Sequence, residues 1–282
     1  MKRYFILNAD DLGMSKTRNE AIHNACQKGF LRSASLCVNG DEYDDAVKNV
    51  INKCPLLGVG IHLNIIEGRA LIPNSSLTDA SGSFKPGFLR LLLKSGDKKF
   101  LADMENEFRA QIEKGLKDVK FDHVDSHVHT HGIPAIFNIA AALAKEYGIR
   151  GIRTKYEKRY TVPGGEKSLT AFYVNRIKIF LLNIFTAKNK KLIDNFYITN
   201  DFLIGVGYTA MMDSQTIEYG LKKLTGQKEN TIKKNMIVEA LFHPDAEKQN
   251  AEYAIPFDTE LPEKIKALGF EMTNYSGLLR NS

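Results

Sequence analysis

Short apolar runs alternate with amphipathic stretches along the whole chain, and this alternation constrains the fold more than any other feature of the sequence. Tyr4 to Ala9 is short, apolar and closes on Asp10 and Asp11, as a strand buried on both faces does. Ser15 then caps a helix predicted to run to Lys28, with Ala21, Ile22 and Ala25 on one face and Gly29 closing it. Ala34 to Val38 reads as a second strand, Asp41 to Lys53 as a helix, and Gly58 to Leu63 as a third strand. Phe100 to Leu116 is a predicted helix and Phe121 to His127 a strand. Pro134 to Tyr147 follows as a helix with proline in its first turn, then Ile149 to Thr154 as a short strand. Further on, Ile177 to Phe185 and Ser214 to Leu224 read as helices and Met236 to Phe242 as a buried strand. Glu260 to Leu268 and Phe270 to Thr273 give a last helix and strand.

Strand–helix alternation of this kind implies an α/β fold with a parallel sheet covered by helices. The reading is a (β/α) barrel or near-barrel with six to seven largely parallel strands. Such barrels often reach about 250 residues as one unit, so the 282 residues are expected to form a single catalytic domain. Periodicity dissolves near 64–99 and again near 155–191, which predicts two long insertions. Irregular stretches of that length usually serve as lids or substrate walls.

Hydrophobic and charged contents of 43% and 26% are ordinary for a globular protein and exclude a disordered chain. The net charge of +6 and pI near 9.0 would suit nucleic acid if the cations clustered, but most are interspersed with acids. The exception, Arg176 to Lys191, reads as a helix with a solvated basic edge in preference to a phosphate-binding or membrane-surface face. An apolar surface around Phe180 to Phe185 would serve a homodimer contact or core packing equally well. Cys26, Cys37 and Cys54 form no CxxC pair and read as free thiols, which speaks for a reducing, cytoplasmic setting and against a cysteine metal site. The apolar run after Lys2 and Arg3 stops too soon for a signal-peptide core. No run approaches the ~20 apolar residues of a membrane span.

Four polar clusters fall at the ends of predicted strands, where barrels of this class carry their active sites. Asp10 and Asp11 follow the first strand; adjacent carboxylates there call for a cation or for donors. One could be a ligand and the other a proton acceptor, or the pair could simply open a turn. His62 ends the third strand after Gly58 and Gly60, which suggest close backbone approach, although a histidine in an apolar strand is commonly a satisfied core residue. Four of the seven histidines lie at odd positions from His123 to His131. Alternation would send His123, Asp125, His127 and His129 to one face, an arrangement suited to metal binding. His243, before Pro244, is placed for acid–base work or is a stiffened loop residue.

The ordered set Asn8–Ser15, Gly60–Leu63 and His123–His129 closely resembles the YdjC-like (ChbG) carbohydrate deacetylase family. Asn39-Gly40, Arg153 and Glu239–Pro244 also match family positions. The similarity runs from the first strand to about residue 245, densely through 154 and thinly from 155 to 235. It implies a barrel-like fold and removal of the N-acetyl group from short chito-oligosaccharides, chitobiose-type disaccharides above all. By matched position the ligands of one divalent metal ion would be Asp11, His62 and His127. The family implies magnesium; two imidazoles and a carboxylate suit zinc better, so both ions stand.

On that reading Asp10 would take the proton from water and His243 would protonate the departing sugar amine. Asp125 or His129 would orient His127 or touch the sugar, Arg153 would hold a sugar hydroxyl or the acetyl oxygen, and Asn39 is a further substrate-binding or supporting position. The Lys155–Leu169 loop and the Arg176–Lys191 stretch match no family motif, and relatives include enzymes for other N-acetylated and lipid-linked amino sugars, so the sugar could differ. The competing functions are hydrolysis of a phosphoester or non-sugar amide, and a non-catalytic sugar- or nucleic-acid-binding module. The expected partner is an N-acetylated amino sugar, without nucleic acid or membrane.

Overall fold

The computed structural model describes residues 2–85, 87–163, 169–226, 235–248 and 251–280. Within the two expected insertions, Pro86 and residues 164–168 lie outside the described residues. One parallel sheet organises the chain: β1 (Arg3–Leu12), β2 (Ser33–Leu36), β3 (Gly58–Leu63), β4 (His123–Ser126), β5 (Gly151–Ile152), β6 (Ile198–Thr199), β7 (Phe202–Ile204), β8 (Met236–Phe242) and β9 (Glu271–Thr273). Eight strands follow the order β6-β5-β4-β3-β2-β1-β8-β7, and β9 pairs with β1. Around them lie α1 (Lys16–Lys28), α2 (Tyr43–Asp45), α3 (Phe88–Lys94), α4 (Lys98–Gly115), α5 (Pro134–Glu146) and α6 (Leu169–Asn189). After them come α7 (Ser214–Thr225), α8 (Ala251–Ala254), α9 (Leu261–Ala267) and α10 (Tyr275–Arg280).

β1 is the axis of this sheet because nearly all its residues are buried, so both its edges can be paired. One edge takes β8 from Arg3 to Ala9; the other takes β9 at Tyr4–Ile6 and then β2 from Asn8 onward. The outermost strands of the path, β6 and β7, are separated in the chain only by Asn200 and Asp201. Those two residues span the seam. Asn200 Oδ1 accepts from the Thr154 amide at 2.6 Å, and the Asp201 amide donates to the Ile237 carbonyl at 2.8 Å. The sheet therefore curls into a near-barrel that the chain itself draws together.

The expected α/β near-barrel is the observed one, with nine strands among the described residues instead of six to seven. β6 and β7 are two and three residues long, too short to show a period. The predicted 41–53 helix is α2 continued by a π turn (Ala46–Val50) and a 3-10 turn (Ile51–Lys53). The irregular 64–99 stretch contains α3 and is pinned to α4: Glu107 accepts from the Leu71 and Ile72 amides, and Gln111 exchanges hydrogen bonds with the Asn64 backbone. Helix α1 starts where Ser15 accepts from the Arg18 amide at 3.3 Å, and it buries Ala21, Ile22 and Ala25 as expected.

One expectation fails at the cysteines. Cys26 of α1 and Cys54 are joined as a disulfide, with Cα atoms 6.3 Å apart, and Cys37 alone is free and buried. Their separation of 28 residues carries no recognisable motif. The free-thiol ground for a cytoplasmic setting falls away with it. Among the described residues no helix is long and apolar enough to cross a membrane.

Candidate active site

The C-terminal ends of the strands open into a cleft of about 310 Å³ lined by Asp10, Asp11, His62, His127, His129 and His243, among others. Its first wall is built by an irregularity in β1. Ala9 faces Ala34 of β2, yet Leu12 faces Leu36, so three steps along β1 meet two along its partner. A bulge of this kind re-aims side chains, and Asp11 takes the left-handed φ of 69°. Asp10 and Asp11, which a regular strand would send to opposite faces, thereby both line one cleft.

Three side chains converge there. Asp11 Oδ1 lies 2.8 Å from His127 Nδ1 and 3.4 Å from His62 Nε2. Each is braced from behind: His62 Nδ1 meets Asp125 Oδ1 at 2.7 Å, Arg18 donates to Asp11 Oδ2 at 2.9 Å, and His127 Nε2 lies 3.3 Å from Glu67 Oε2. One carboxylate oxygen and two ring nitrogens this close, with their second nitrogens directed to carboxylates, fit a divalent cation. Burial opposes charge on His62, but Asp125, Asp11 and Asp10 prevail and lift its pKa to about 10. A cation bound there would have to displace that proton. Burial likewise opposes ionisation of Asp11, yet the bonds from His127 and His62 hold its carboxyl well below the usual range.

Behind this rim lies a closed cluster. Arg153 is wholly buried; it grips Asp10 with two bonds of 2.8 Å, reaches Asp125 at 2.6 Å and donates through Nε to Glu239 at 2.7 Å. Tyr275 donates to the other Glu239 oxygen at 2.8 Å, Ser35 to Asp125 at 2.7 Å and Asn8 to Asp10 at 2.8 Å. Burial pushes the Asp10 and Asp125 carboxyls toward protonation, but Arg153 and His62 outweigh it and hold both ionised. Asp10, His62 and Asp125 also lie close enough to share a cation. Arg153 already pairs with two of those three, so a second ion would have to compete with a guanidinium.

The opposite wall holds His243 at the end of β8. Its Nδ1 lies 3.5 Å from Glu252 Oε2, and Glu252 is buried. Burial disfavours the imidazolium, while Glu252, Asp11 and Asp10 raise the pKa above the ordinary histidine value. Of the five non-glycine residues with positive φ among the described residues, Asp11, Val128, His129 and Ala210 all line the cleft. Backbone strain concentrated in this way is characteristic of functional sites.

The histidine-rich segment divides differently from its parity. β4 ends at Ser126, and a 3-10 turn with left-handed Val128 and His129 follows, so strand alternation stops before His127. His123 stacks on Tyr275 with ring centroids 4.3 Å apart and bonds Asp122, inside the barrel. His131 is fixed between Ser126 and the Arg153 carbonyl. His129 lines the cleft, and burial with nearby Lys155 keeps its pKa well below the usual value; its Nδ1 finds no hydrogen-bond partner among the described residues. Of the four, His127 alone joins Asp11 and His62.

Two other expected contacts lie elsewhere. Arg153 is saturated by carboxylates and does not line the cleft, so it braces Asp10 and leaves no donor for a sugar. Asn39 donates to the Arg69 carbonyl and accepts from Asn64, shaping the loop that presents Glu67. Arg18, Glu67, Lys178 and Glu252 escaped the sequence reading. Arg18 alone carried a signal: a cation in the first turn of a helix opposes the helix dipole unless an anion compensates it.

Comparison with known proteins places these features in a wider group. A family model described as YdjC-like protein matches residues 4–267. A carbohydrate deacetylase of Brevibacillus brevis is 38% identical over 146 residues, covering 51% of this chain and 56% of that protein. A carbohydrate deacetylase of Clostridium beijerinckii is 36% identical over 159 residues, 55% and 62% of the two chains. A chitooligosaccharide deacetylase of Citrobacter koseri is 33% identical over 154 residues, 53% and 58%. The matches thus span little more than half of these relatives' length. A crystal structure from Enterococcus faecalis V583, provisionally described as a cellobiose-phosphate cleavage protein, superposes with a TM-score of 0.76 over 99% of both chains. At 22% identity it shares the fold.

Proposed function

The chain belongs to the YdjC-like family, and from that premise we propose that it is a metal-dependent hydrolase removing the N-acetyl group from amino sugars, short chito-oligosaccharides of the chitobiose type in particular. The observation that carries the reading is the convergence of Asp11, His62 and His127 beside Asp10 and opposite His243 in one cleft. The relatives named as carbohydrate and chitooligosaccharide deacetylases supply the bond and the substrate class.

Asp11, His62 and His127 would hold the ion, magnesium by family likeness or zinc by donor chemistry. The chemistry such an ion supplies when bound is Lewis-acid activation of water and of the acetyl carbonyl. Asp10 is the base. Arg153 and Asn8 fix its carboxylate, while Oδ2, with a single donor at 2.8 Å, keeps a lone pair for the proton of the attacking water. His243, whose pKa Glu252 and the nearby aspartates raise against burial, delivers a proton to the departing amine, which cannot leave as an anion. Asp125 holds His62 in the tautomer that turns Nε2 toward Asp11. His129, neutral and on the cleft wall, is placed to meet the sugar.

The test is acetate release from N-acetylglucosamine oligomers of graded length, after chelation and with magnesium or zinc added back. Release that depends on one of the two ions is the expected result. Protein that retains either ion yet releases no acetate from any oligomer would overturn the reading.

A further inference from the structure

Helix α6 is apolar on two opposite faces. Ile179, Leu182 and Phe185 are buried on the inner face. Outward, Val174, Ile177, Phe180, Leu181 and Ile184 stand 37–63% exposed, where a surface helix ordinarily carries charge. The basic edge expected from the sequence is therefore interrupted by an apolar stripe. Val174, Ile177, Leu181 and Ile184 recur at three- and four-residue spacing, so with Phe180 they share one side of the helix, and grouped apolar side chains of this kind mark interaction surfaces.

Charge indicates what covers it. From residue 169 to residue 193 the chain has five Lys and Arg and no Asp or Glu, and of the five only Lys178 turns into the cleft. Lys188, Lys190 and Lys191 follow the stripe directly and are exposed, Lys190 resting 5.6 Å from the centre of the Tyr156 ring. A second copy docking through the same face would set two acid-free, cationic segments against each other. An anionic lipid surface is complementary to both parts, since apolar side chains enter the headgroup boundary while lysines meet the lipid charge.

We propose that the outer face of α6 docks this protein on anionic phospholipid surfaces, with Ile177, Phe180 and Ile184 entering the interface and Lys188 and Lys191 against the headgroups. The helix lies on the surface and does not span it. Lys178, on the same helix, lines the cleft, and so does the 38% exposed Val128, so the docked face adjoins the mouth of the site. This inference is independent of the deacetylase reading.

Co-sedimentation of the full chain with vesicles of phosphatidylglycerol and phosphatidylcholine, against pure phosphatidylcholine, tests it. Binding to the anionic vesicles should be at least ~10-fold stronger and should weaken with salt. Phe180→Ser with Ile184→Ser, and separately Lys188→Gln with Lys191→Gln, should each lower binding ~10-fold. Because these side chains are exposed, both variants should melt as the parent does, and the lysine pair keeps the test open if the apolar pair does not fold. Equal partition into both vesicle types, or none into either, overturns the proposal. So does a dimer in sedimentation velocity that Phe180→Ser with Ile184→Ser dissolves, which would assign the face to a second copy.

Discussion

Asp10 and Asp11 are neighbours in the chain, yet they serve regions that handle charge in opposite ways. The region behind the cleft, built from Asp10, Asp125, Glu239, Arg153 and Tyr275, is closed: donors and acceptors meet one another at 2.6–2.8 Å. The rim, built from Asp11, His62, His127 and His243, is open: ring nitrogens and a carboxylate oxygen face one another across distances that an ion could bridge. On the proposed function, the closed region fixes orientation and charge state, and the open one is left to do chemistry. Asp10 alone belongs to both, being gripped by Arg153 yet lining the cleft.

Mutations should separate the two regions. The largest effect is expected from Arg153→Met, which strands three buried carboxylates; breaking a buried ion pair costs about 3–5 kcal/mol, so urea unfolding should show at least that loss. An unchanged midpoint would mean that the closed cluster does not hold the fold. Next, Asp10→Asn should lower acetate release by at least ~100-fold while metal content by elemental analysis stays near one ion per chain, whereas Asp11→Ala should lose ion and turnover together. If the two variants behave alike, the division between base and ligand is wrong.

Asp125→Asn removes the brace on His62 and should weaken metal binding ~10–100-fold, read by competition with a chelator. The mildest effect is on pH dependence. As the proposed acid, His243 must be protonated to act, and its raised pKa should put the alkaline limb of kcat/KM above the ordinary histidine range. Glu252→Gln removes the group that raises it most, so that limb should move to lower pH; a shift upward would exclude His243 as the acid.

Much of this was legible in the sequence, unevenly. β1, β3 and β8 are long, apolar and end in acids or histidines, so the strands and their terminal site residues could be read together. The set Asp11, His62 and His127 came from the family resemblance, while parity in the 123–131 segment did not single out His127 and added His123, which stacks on Tyr275 away from the cleft. Alternation holds only while the backbone stays extended, and Val128 and His129 turn left-handed. Glu252 could not be found because it approaches His243 from a four-residue helix without a motif. The Cys26–Cys54 bridge and strands β6 and β7 depend on tertiary placement, which no local pattern encodes.

Gly60 carries a consequence for how this barrel can vary. A Cβ on Gly60 would come within 2.3 Å of the His123 ring, which lies across the strand pair and against Tyr275. The bare backbone of one strand is thus the space in which its neighbour's imidazole sits. A chain that gains even a methyl group at position 60 must give up the ring at 123, so the two positions should be interchangeable only as a couple: Gly60→Ala tolerated alongside a small residue at 123, and neither step tolerated alone.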